Sequence, residues 1–257
     1  MRIMDTILKA DNLTKIFSRR GQPDFTAVDH VSFSVKSGEC LGIIGESGSG
    51  KSTVANMITR LTDVTEGRIM LDGENITEAK GKSLRALYRK MQMVFQTPAD
   101  SFDPRCTLGD GIGESLRNIG MSRRDTKDRV SKLLLKCGLT ADFADRYPHQ
   151  VSGGQCQRAA IARALAVEPM LLICDEATSA LDVTIQKEIM ELLNGLREHY
   201  GERLSILFIC HDIALVQQFC TRLLVMYKGR IVEQGCPVDI IRNPRNAYTK
   251  HLIDSIL

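Results

Sequence analysis

Short apolar runs that end in a glycine or a polar residue recur along this chain and alternate with helical patterns. The segments CLGIIG (40–45), MLLICD (170–175) and SILFICH (205–211) have the length and the continuous apolar character of strands that are buried on both faces. Such strands, separated by helices, are typical of a parallel sheet with helices packed against it. The pattern therefore predicts an α/β core.

Two amphipathic helices are predicted beside these strands. Val54, Met57, Ile58 and Leu61 follow the first strand at the spacing of one helix face. The second helix lies between the other two strands, and Gly201 stands where a C-cap would end it. Its apolar face consists of Ile185, Ile189, Leu192, Leu193 and Leu196.

Two other segments have the patterns of antiparallel strands. Val31, Phe33 and Val35 alternate with polar residues, and GRIMLDGENI (67–76) has the pattern of a strand and a turn, so we expect a small antiparallel sheet in the N-terminal part. Near the C-terminus, LLVMYKGRIVEQG (223–235) predicts a hairpin whose turn is the Lys-Gly pair.

Strand patterns disappear between residues 97 and 148, and helical patterns replace them. Ser122 is a suitable N-cap for a helix that Gly138 would terminate. We therefore expect an inserted helical subdomain. The apolar face of this helix consists of Val130, Leu133, Leu134 and Cys137.

Composition narrows the class of protein. The 257 residues are 43% hydrophobic and 25% charged, with a net charge of +3, and so small a charge is not by itself the footprint of nucleic-acid binding. No apolar run approaches the roughly 20 residues of a membrane-spanning helix, and Asp5, Lys9 and Asp11 interrupt any signal-peptide core. The eight cysteines include no C-x-x-C pair. We expect a cytosolic protein with reduced, buried thiols.

The segment GESGSGKST (45–53) carries the clearest chemical signal. It fits the G-x-x-x-x-G-K-[ST] pattern and lies between a predicted strand and a predicted helix. Its glycines allow backbone N–H groups to surround phosphates, Lys51 can reach the β- and γ-phosphates, and the Ser52 hydroxyl can bind Mg²⁺. A nucleotide site is predicted; the alternative is a flexible glycine loop without a ligand.

Side chains at the ends of predicted strands could complete this site. Asp175 and Glu176 follow an apolar strand, where one carboxylate could hold Mg²⁺ and the other could position the attacking water. The alternative is a pair of solvated loop acids. His211 and Gln96 also end strands, and each could contact the nucleotide or be only a polar strand end. Phe17 could stack on adenine or pack in the N-terminal sheet.

A second anion cradle is predicted about a hundred residues after the first. At VSGGQ (151–155) a Gly-Gly pair opens a helix and offers backbone N–H groups to an anion. One chain would therefore carry two phosphate-binding elements.

These motifs occur in a known order, and the chain resembles the ATP-binding subunits of ABC transporters over nearly its whole length. GESGSGKST resembles the Walker A loop, Gln96 the Q-loop glutamine and VSGGQ the ABC signature. LLICDE (171–176) resembles the Walker B strand with its catalytic glutamate, SALD (179–182) the D-loop, and His211 the switch histidine.

The resemblance implies both architecture and assembly. The expected fold is an α/β P-loop NTPase (RecA-like) core with an N-terminal antiparallel β subdomain and an inserted α-helical subdomain. One ATP-binding domain would occupy residues 1–257, with the helical subdomain at approximately 97–165. In this family two such domains meet head to tail, so the signature of one binds the γ-phosphate of ATP held in the Walker A loop of the other. This arrangement accounts for the two cradles.

The resemblance also implies the cofactors, ATP and Mg²⁺, and the residues that bind them. Glu176 and His211 are the implied catalytic residues, and Ser52, Gln96 and Asp175 are the implied metal-binding residues. The implied nucleotide-binding residues are Phe17, Gly45, Ser47, Gly48, Ser49, Gly50, Lys51, Ser52, Thr53, Gln96, Ser152, Gly153, Gly154, Gln155 and Asp182.

Further segments resemble one branch of the family, the importers of oligopeptides, dipeptides and nickel, and in particular the second ATPase of such systems. This implies a heterodimer with a similar ATPase (a homodimer stays open), two permease subunits and, indirectly, an extracytoplasmic solute-binding protein. The chain would lie at the cytoplasmic face of the inner membrane and bind no nucleic acid. Peptide, nickel and metal-chelate cargo all stay open. The segments are SFDPRCTLGDGI (101–112), CDEATSALDVTIQKEI (174–189), HDIALVQQFC (211–220), VMYKGRIVEQG (225–235) and NPRNAYTKHL (243–252).

Two other functions stay open from sequence. A soluble ABC-type ATPase acting on DNA or ribosomes usually has tandem cassettes or a long coiled-coil insertion, and the chain shows neither. A module that binds ATP and barely hydrolyses it would not need Glu176 and His211. Val151, Cys156 and Ala177 depart from the usual family residues, but none of these changes removes a phosphate donor or the glutamate.

Overall fold

The structure is a computed structural model that describes residues 5–18, 21, 23–98, 101–178 and 181–255. None of the helices in these ranges combines the length and apolar character needed to cross a bilayer. The strands are β1 Thr6–Phe17, β2 Phe25–Lys36, β3 Cys40–Ile44, β4 Glu66–Leu71, β5 Glu74–Asn75, β6 Met91–Val94, β7 Leu171–Asp175, β8 Ser205–Ile209, β9 Arg222–Tyr227 and β10 Arg230–Gly235. The α-helices are α1 Lys51–Ile58, α2 Gly81–Lys90, α3 Leu108–Asn118, α4 Arg123–Lys136, α5 Gly153–Leu165, α6 Val183–Tyr200, α7 Ile213–Phe219, α8 Pro237–Arg242 and α9 Ala247–Asp254.

A central sheet with the strand order β10-β9-β3-β8-β7-β6 forms the core. Strands β9, β3, β8, β7 and β6 are parallel, and β10 pairs antiparallel with β9. Every residue of β3, β7 and β8 is buried. Because successive side chains point to opposite faces, Leu41 and Leu207 pack on one side, while Cys174 and Phe208 pack on the other. The three strands expected from the sequence are confirmed.

The N-terminal sheet has the order β2-β1-β4-β5 and is antiparallel throughout. Its apolar face, which includes Leu8 and Val35, joins Val54 and Met57 of α1 and one face of the central sheet in a single core. Helix α1 therefore lies between the two sheets, and this burial orients the loop that precedes it.

The sequence predicts that Leu61 belongs to the apolar face of α1, and this prediction is wrong. The helix ends at Ile58, and Leu61 is 54% exposed. The Thr59 hydroxyl donates to the Ala55 carbonyl (2.9 Å), and Arg60 has a left-handed φ of 60°. Since the chain turns away after the last helical residue, the i+7 position does not return to the buried side.

Helices α3, α4 and α5 lie between β6 and β7 in the sequence. They pack against one another, and α5 also packs against β6. The Ser122 hydroxyl accepts the N–H of Asp125 (3.1 Å), and Gly138 after α4 has a φ of +72°, so both ends of this helix are where the sequence places them. Short 3-10 helices at Ala141–Asp145 and Pro148–Gln150 lead into α5.

The hairpin between β9 and β10 supports the glycine-rich loop. Lys228 and Gly229 have φ values of 45° and 80°, as the tight two-residue turn of a hairpin requires. The N–H of Gly229 donates to the carbonyl of Ser49 (3.0 Å). A turn more than 170 residues away in sequence therefore holds the loop that the P-loop pattern identifies.

All eight cysteines lie in the described part of the chain and are free. Cys106 and Cys236 are exposed, and the other six are buried. Burial raises the pKa of Cys137 and of Cys174 to about 12. These thiols act as small apolar side chains in the core.

Candidate nucleotide-binding site

The carboxyl ends of β3, β7 and β8 meet at one edge of the central sheet. Ile209 of β8 is the register partner of both Ile43 in β3 and Asp175 in β7. The chain that leaves each strand therefore enters the same region, where open α/β sheets bind ligands. Glu176 and His211 follow these strands, so the predicted catalytic residues lie at the same edge as the glycine-rich loop.

Residues 45–50 connect β3 to α1 and form the phosphate loop. Gly45, Gly48 and Gly50 have φ values of 155°, 80° and 103°, which glycine adopts at low cost. A Cβ atom on Gly45 would lie 2.2 Å from the Met226 carbonyl oxygen, and one on Gly50 would lie 2.5 Å from that of Ala27. The tight path of this loop therefore requires glycine at both ends.

The start of α1 presents donors that suit an anion. Gly50 is the N-cap and provides no side-chain cap, and the N-terminal end of a helix carries a partial positive charge. The Ser49 hydroxyl is buried and has no hydrogen-bond partner within the described residues. Ser47 is exposed, and Thr53 is half-buried in the first turn of α1. An unpaired buried hydroxyl beside uncapped N–H groups fits the phosphates of a nucleotide.

Lys51 places a buried positive charge against the phosphate loop. The residue is 4% exposed, and its Nζ donates to the carbonyls of Gly45 (2.7 Å) and Glu46 (2.9 Å). Burial lowers the pKa of Lys51, while the negative charges of Glu176 and Asp175 act to raise it. The ammonium thus lies between the loop and the two acids that follow β7.

Ser52 and Asp175 bring two oxygen ligands together. The Ser52 hydroxyl donates to Oδ1 of Asp175 (3.1 Å). Burial raises the pKa of Asp175, and the charge of Glu176 raises it further, whereas the Ser52 hydrogen bond and the charge of Lys51 lower it. Mg²⁺ in nucleotide sites takes one or two protein oxygens, phosphate oxygens and water, so this pair fits the ion.

Glu176 has an unusual backbone conformation. Its φ is +48°, a left-handed value that is uncommon for residues other than glycine and that occurs at functional sites. Its N–H donates to the carbonyl of Ile209 (2.9 Å). Strand β8 therefore holds the backbone of this residue directly beyond Asp175.

Gln96 and His211 also follow strands of the central sheet, β6 and β8. Gln96 lines a cavity of about 470 Å³ together with Ser52 and Asp175. His211 is exposed, and the Asp212 carboxylate next to it accepts the N–H groups of Ala214 (2.8 Å) and Leu215 (3.2 Å). Asp212 is therefore the N-cap of α7, which begins two residues after His211.

Phe17 has an aromatic neighbour that the sequence did not reveal. Phe17 ends β1 and is the register partner of Phe25, the first residue of β2. Their exposed fractions are 41% and 60%, and the Lys15 ammonium lies 5.1 Å from the Phe17 ring centre. Both rings are open to stacking with a flat ligand. Only the strand register could have identified Phe25.

The signature residues form the start of α5. Ser152 Oγ accepts the N–H of Gln155 (3.3 Å), and Gln155 Oε1 accepts the N–H of Ser152 (3.0 Å), a capping box. A Cβ atom on Gly154 would lie 2.5 Å from Cγ2 of Ile185, so α5 starts in close contact with α6. Gly153 beside it is exposed. These residues belong to the helical part of the fold, whereas the phosphate loop belongs to the edge of the central sheet.

The predicted D-loop is described only in part. The Asp182 carboxylate accepts the N–H of Ile185 (3.0 Å) and caps α6. Leu181 is half-buried. Ser179 and Ala180 lie outside the described residues.

Comparisons with known proteins agree with this geometry. The sequence profile of the family described as "ABC transporter" matches residues 28–179. "Oligopeptide transport ATP-binding protein OppF" of Salmonella typhimurium is 45% identical over 232 residues, which are 90% of this chain and 69% of that protein. "Probable peptide ABC transporter ATP-binding protein y4tS" of Sinorhizobium fredii is 44% identical over 256 residues, which are 97% of this chain and 72% of that protein.

Solved structures confirm the predicted P-loop NTPase fold. The dimeric post-hydrolysis state of the ATP-binding cassette MJ0796, bound to ADP and phosphate, has a TM-score of 0.81 and 32% identity, and the match covers 90% of this chain and 98% of that one. The CbiO1 structure from Clostridium perfringens is 29% identical, has a TM-score of 0.79, and the match covers 97% of this chain and 99% of that one. Fold, phosphate loop and sequence similarity together show that this chain belongs to the ABC transporter family and is one of its ATPases.

Proposed function

We propose that this chain is the ATP-hydrolysing subunit that powers an importer of peptides, nickel or a metal chelate. The observation that carries the proposal is the convergence of Lys51, the Ser52–Asp175 pair and Glu176 at one edge of the sheet. The names of the relatives reported above favour peptides as the cargo. They also favour transport over the alternative of an ATPase that acts on DNA or ribosomes.

ATP binding is assigned to residues from several elements. Lys51 and the N–H groups at the start of α1 bind the phosphates, and the exposed ring of Phe17 contacts the adenine. Ser52 and Asp175 hold Mg²⁺, with Gln96 beside them in the same cavity. The bound ion supplies positive charge that offsets the charge developing on the phosphates. The other proposed nucleotide contacts are Gly45, Ser47, Gly48, Ser49, Gly50 and Thr53.

Glu176 is the proposed general base for hydrolysis. Its carboxylate orients the attacking water and accepts a proton from it. The bond from its N–H to Ile209 keeps the residue beside Asp175 without using the carboxylate. His211, at the end of the neighbouring strand, contacts the γ-phosphate in this proposal.

ABC ATPase cassettes work as dimers together with membrane permeases in importers, and MJ0796 is a dimer in its solved structure. We propose that Ser152, Gly153, Gly154 and Gln155 of this chain bind the γ-phosphate held in the phosphate loop of a second, similar ATPase, with Asp182 nearby. Closure of the pair would then require ATP, and hydrolysis would remove the bridging charge and allow reopening.

The proposed assembly lies at the cytoplasmic face of the inner membrane. Two permease subunits would bind this chain and its partner ATPase, and an extracytoplasmic solute-binding protein would deliver the cargo.

The proposed domain organisation is simple. One ATP-binding domain spans residues 1–257, and a helical subdomain at approximately 97–165 includes α3, α4 and α5.

Affinity purification of the tagged chain from native membranes tests the assembly, with an untagged strain as the control. We expect two permeases and a second ATPase to be identified by mass spectrometry, together with a solute-binding protein whose bound peptide or metal identifies the cargo. Recovery of ribosomal or DNA-repair proteins without a permease would contradict the importer assignment.

A further inference from the structure

The last described helix contacts the phosphate loop. The hydroxyl of Tyr248 on α9 accepts a hydrogen bond from the backbone N–H of Glu46 (3.0 Å), across 202 residues of sequence. Tyr248 belongs to the segment NPRNAYTKHL (243–252), to which the proposed function assigns no chemical role. The contact therefore raises the question of what α9 does for the nucleotide site.

The Gly45–Glu46 peptide group is held at both ends. Its N–H, which belongs to Glu46, donates to Tyr248, and its carbonyl, which belongs to Gly45, accepts from Lys51 Nζ at 2.7 Å. The same ammonium donates to the next carbonyl, that of Glu46, at 2.9 Å. Rotation of this peptide group would turn the Gly45 carbonyl away from the lysine. Tyr248 opposes that rotation from the side opposite Lys51.

The Tyr248 ring is itself held against the hairpin. It stacks on Tyr227, with ring centres 4.0 Å apart and an angle of 26° between the planes. Tyr227 ends β9 and precedes the Lys228–Gly229 turn, whose Gly229 N–H donates to the carbonyl of Ser49. Burial raises the pKa of Tyr248, so its hydroxyl is neutral at physiological pH. The hairpin thus supports the phosphate loop both directly and through the stacked ring.

Polar contacts also hold the start of α9 in place. The Glu233 carboxylate on β10 accepts the backbone N–H groups of Arg245 (2.9 Å) and Asn246 (3.0 Å). Burial acts to raise the pKa of Glu233, but hydrogen bonds to its carboxylate, these two among them, and the charge of Arg245 together lower it. Asn246 Oδ1 accepts the N–H of Tyr248 (2.9 Å) and caps the helix. The tyrosine is therefore presented from a well-held helix start.

We propose that Tyr248 is a positioning residue for the nucleotide: through the Glu46 N–H it holds the Gly45–Glu46 peptide group, and through the Gly45 carbonyl it keeps Lys51 in place for the phosphates. The inference rests on the proposed nucleotide site. Packing of α9 does not require this hydroxyl, since Leu252 and Ile253 of the same helix are buried in the core.

Two single-hydroxyl variants of the full chain test this role. Tyr248→Phe keeps the ring stack and removes the acceptor of the Glu46 N–H. Tyr227→Phe removes a hydroxyl from the other ring of the same stack and serves as the matched control. We expect Tyr248→Phe to raise the Kd for Mg-ADP, measured by calorimetry, by about 2–10-fold, and Tyr227→Phe to leave it unchanged. Hydrogen exchange at the Glu46 amide should be faster only in Tyr248→Phe. The Tm values of the two variants should agree within about 3 °C.

The possible outcomes separate this inference from the site itself. Equal Kd values for the two variants, in a wild-type protein that binds Mg-ADP, would overturn the role of Tyr248 and leave the nucleotide site intact. A higher Kd accompanied by a large loss of Tm in Tyr248→Phe alone would mean a structural role and would also overturn it. Absence of Mg-ADP binding by the wild-type chain would contradict the proposed site and, with it, this inference.

Discussion

Replacement of Glu176 by Gln is expected to lower the kcat of ATP hydrolysis by about 10²–10⁴-fold while ATP stays bound. The amide has nearly the same shape as the carboxylate but cannot accept the proton of the attacking water. The backbone at this position, with its φ of +48° and its N–H bond to Ile209, does not depend on the charge of the side chain. Phosphate release and retention of radiolabelled ATP by the purified complex measure the two effects separately.

Glu198→Gln is the matched control for this variant. Glu198 is exposed on α6, so the same change of charge there should leave kcat unchanged. Hydrolysis by Glu176→Gln within twofold of the wild-type rate would remove Glu176 from the catalytic role. A wild-type rate as low as that of Glu176→Gln would instead favour a module that binds ATP and barely hydrolyses it.

Replacement of Lys51 by Met is expected to weaken ATP binding by on the order of 100-fold, because charge-assisted hydrogen bonds contribute about 1.5–3 kcal/mol each. Two effects combine. The phosphates lose their buried positive charge, and the carbonyls of Gly45 and Glu46 lose the donor that they share. Methionine fills most of the same volume, which limits the structural damage. Calorimetric titration with Mg-ATP measures the loss, and a thermal melt checks that the variant is folded.

Lys132→Met provides the control for the loss of a positive charge. Lys132 is exposed on α4, which packs against α3 and α5, and its replacement should leave the Kd for ATP unchanged. A folded Lys51→Met variant with a Kd within twofold of the wild type would show that the ammonium does not bind the phosphates, and the proposed site would be wrong.

The buried strands and the glycine-rich loop were predictable because their signals are local. The apolar segments at 40–45, 170–175 and 205–211 contain β3, β7 and β8, and the Ser122 and Gly138 caps lie where expected. Each of these features depends on residues that are adjacent in sequence. Periodicity and capping preferences therefore suffice to place them.

Leu61 shows where a local pattern is insufficient. The i+7 spacing continues past the helix, but Arg60 adopts a left-handed backbone and the chain leaves the helix at Thr59. Apolar spacing shows only that residues could share one face of a helix. Where the helix ends depends on local hydrogen bonds, such as the bond from the Thr59 hydroxyl to the Ala55 carbonyl.

The residues proposed for the site could be identified from the sequence, but the long-range contacts that hold them in place could not. The resemblance supplied Asp175 and Glu176, yet the left-handed backbone of Glu176 depends on a bond to β8 that no local pattern indicates. Tyr248 and Phe25 were missed for the same reason. Tyr248 meets Glu46 across 202 residues, and Phe25 meets Phe17 through strand register. Contacts of this kind arise from the tertiary fold and leave no periodic signal.

ATP hydrolysis by the complete transporter in lipid vesicles tests the central claim most directly, since that claim joins the site at Lys51, Asp175 and Glu176 to import. The chain would be purified with its permeases and partner ATPase, and phosphate release would be measured with and without cargo-loaded solute-binding protein. We predict Mg²⁺-dependent hydrolysis that rises when the loaded binding protein is added and falls to background in Glu176→Gln. Hydrolysis that is indifferent to the binding protein, or that persists in Glu176→Gln, would contradict the account.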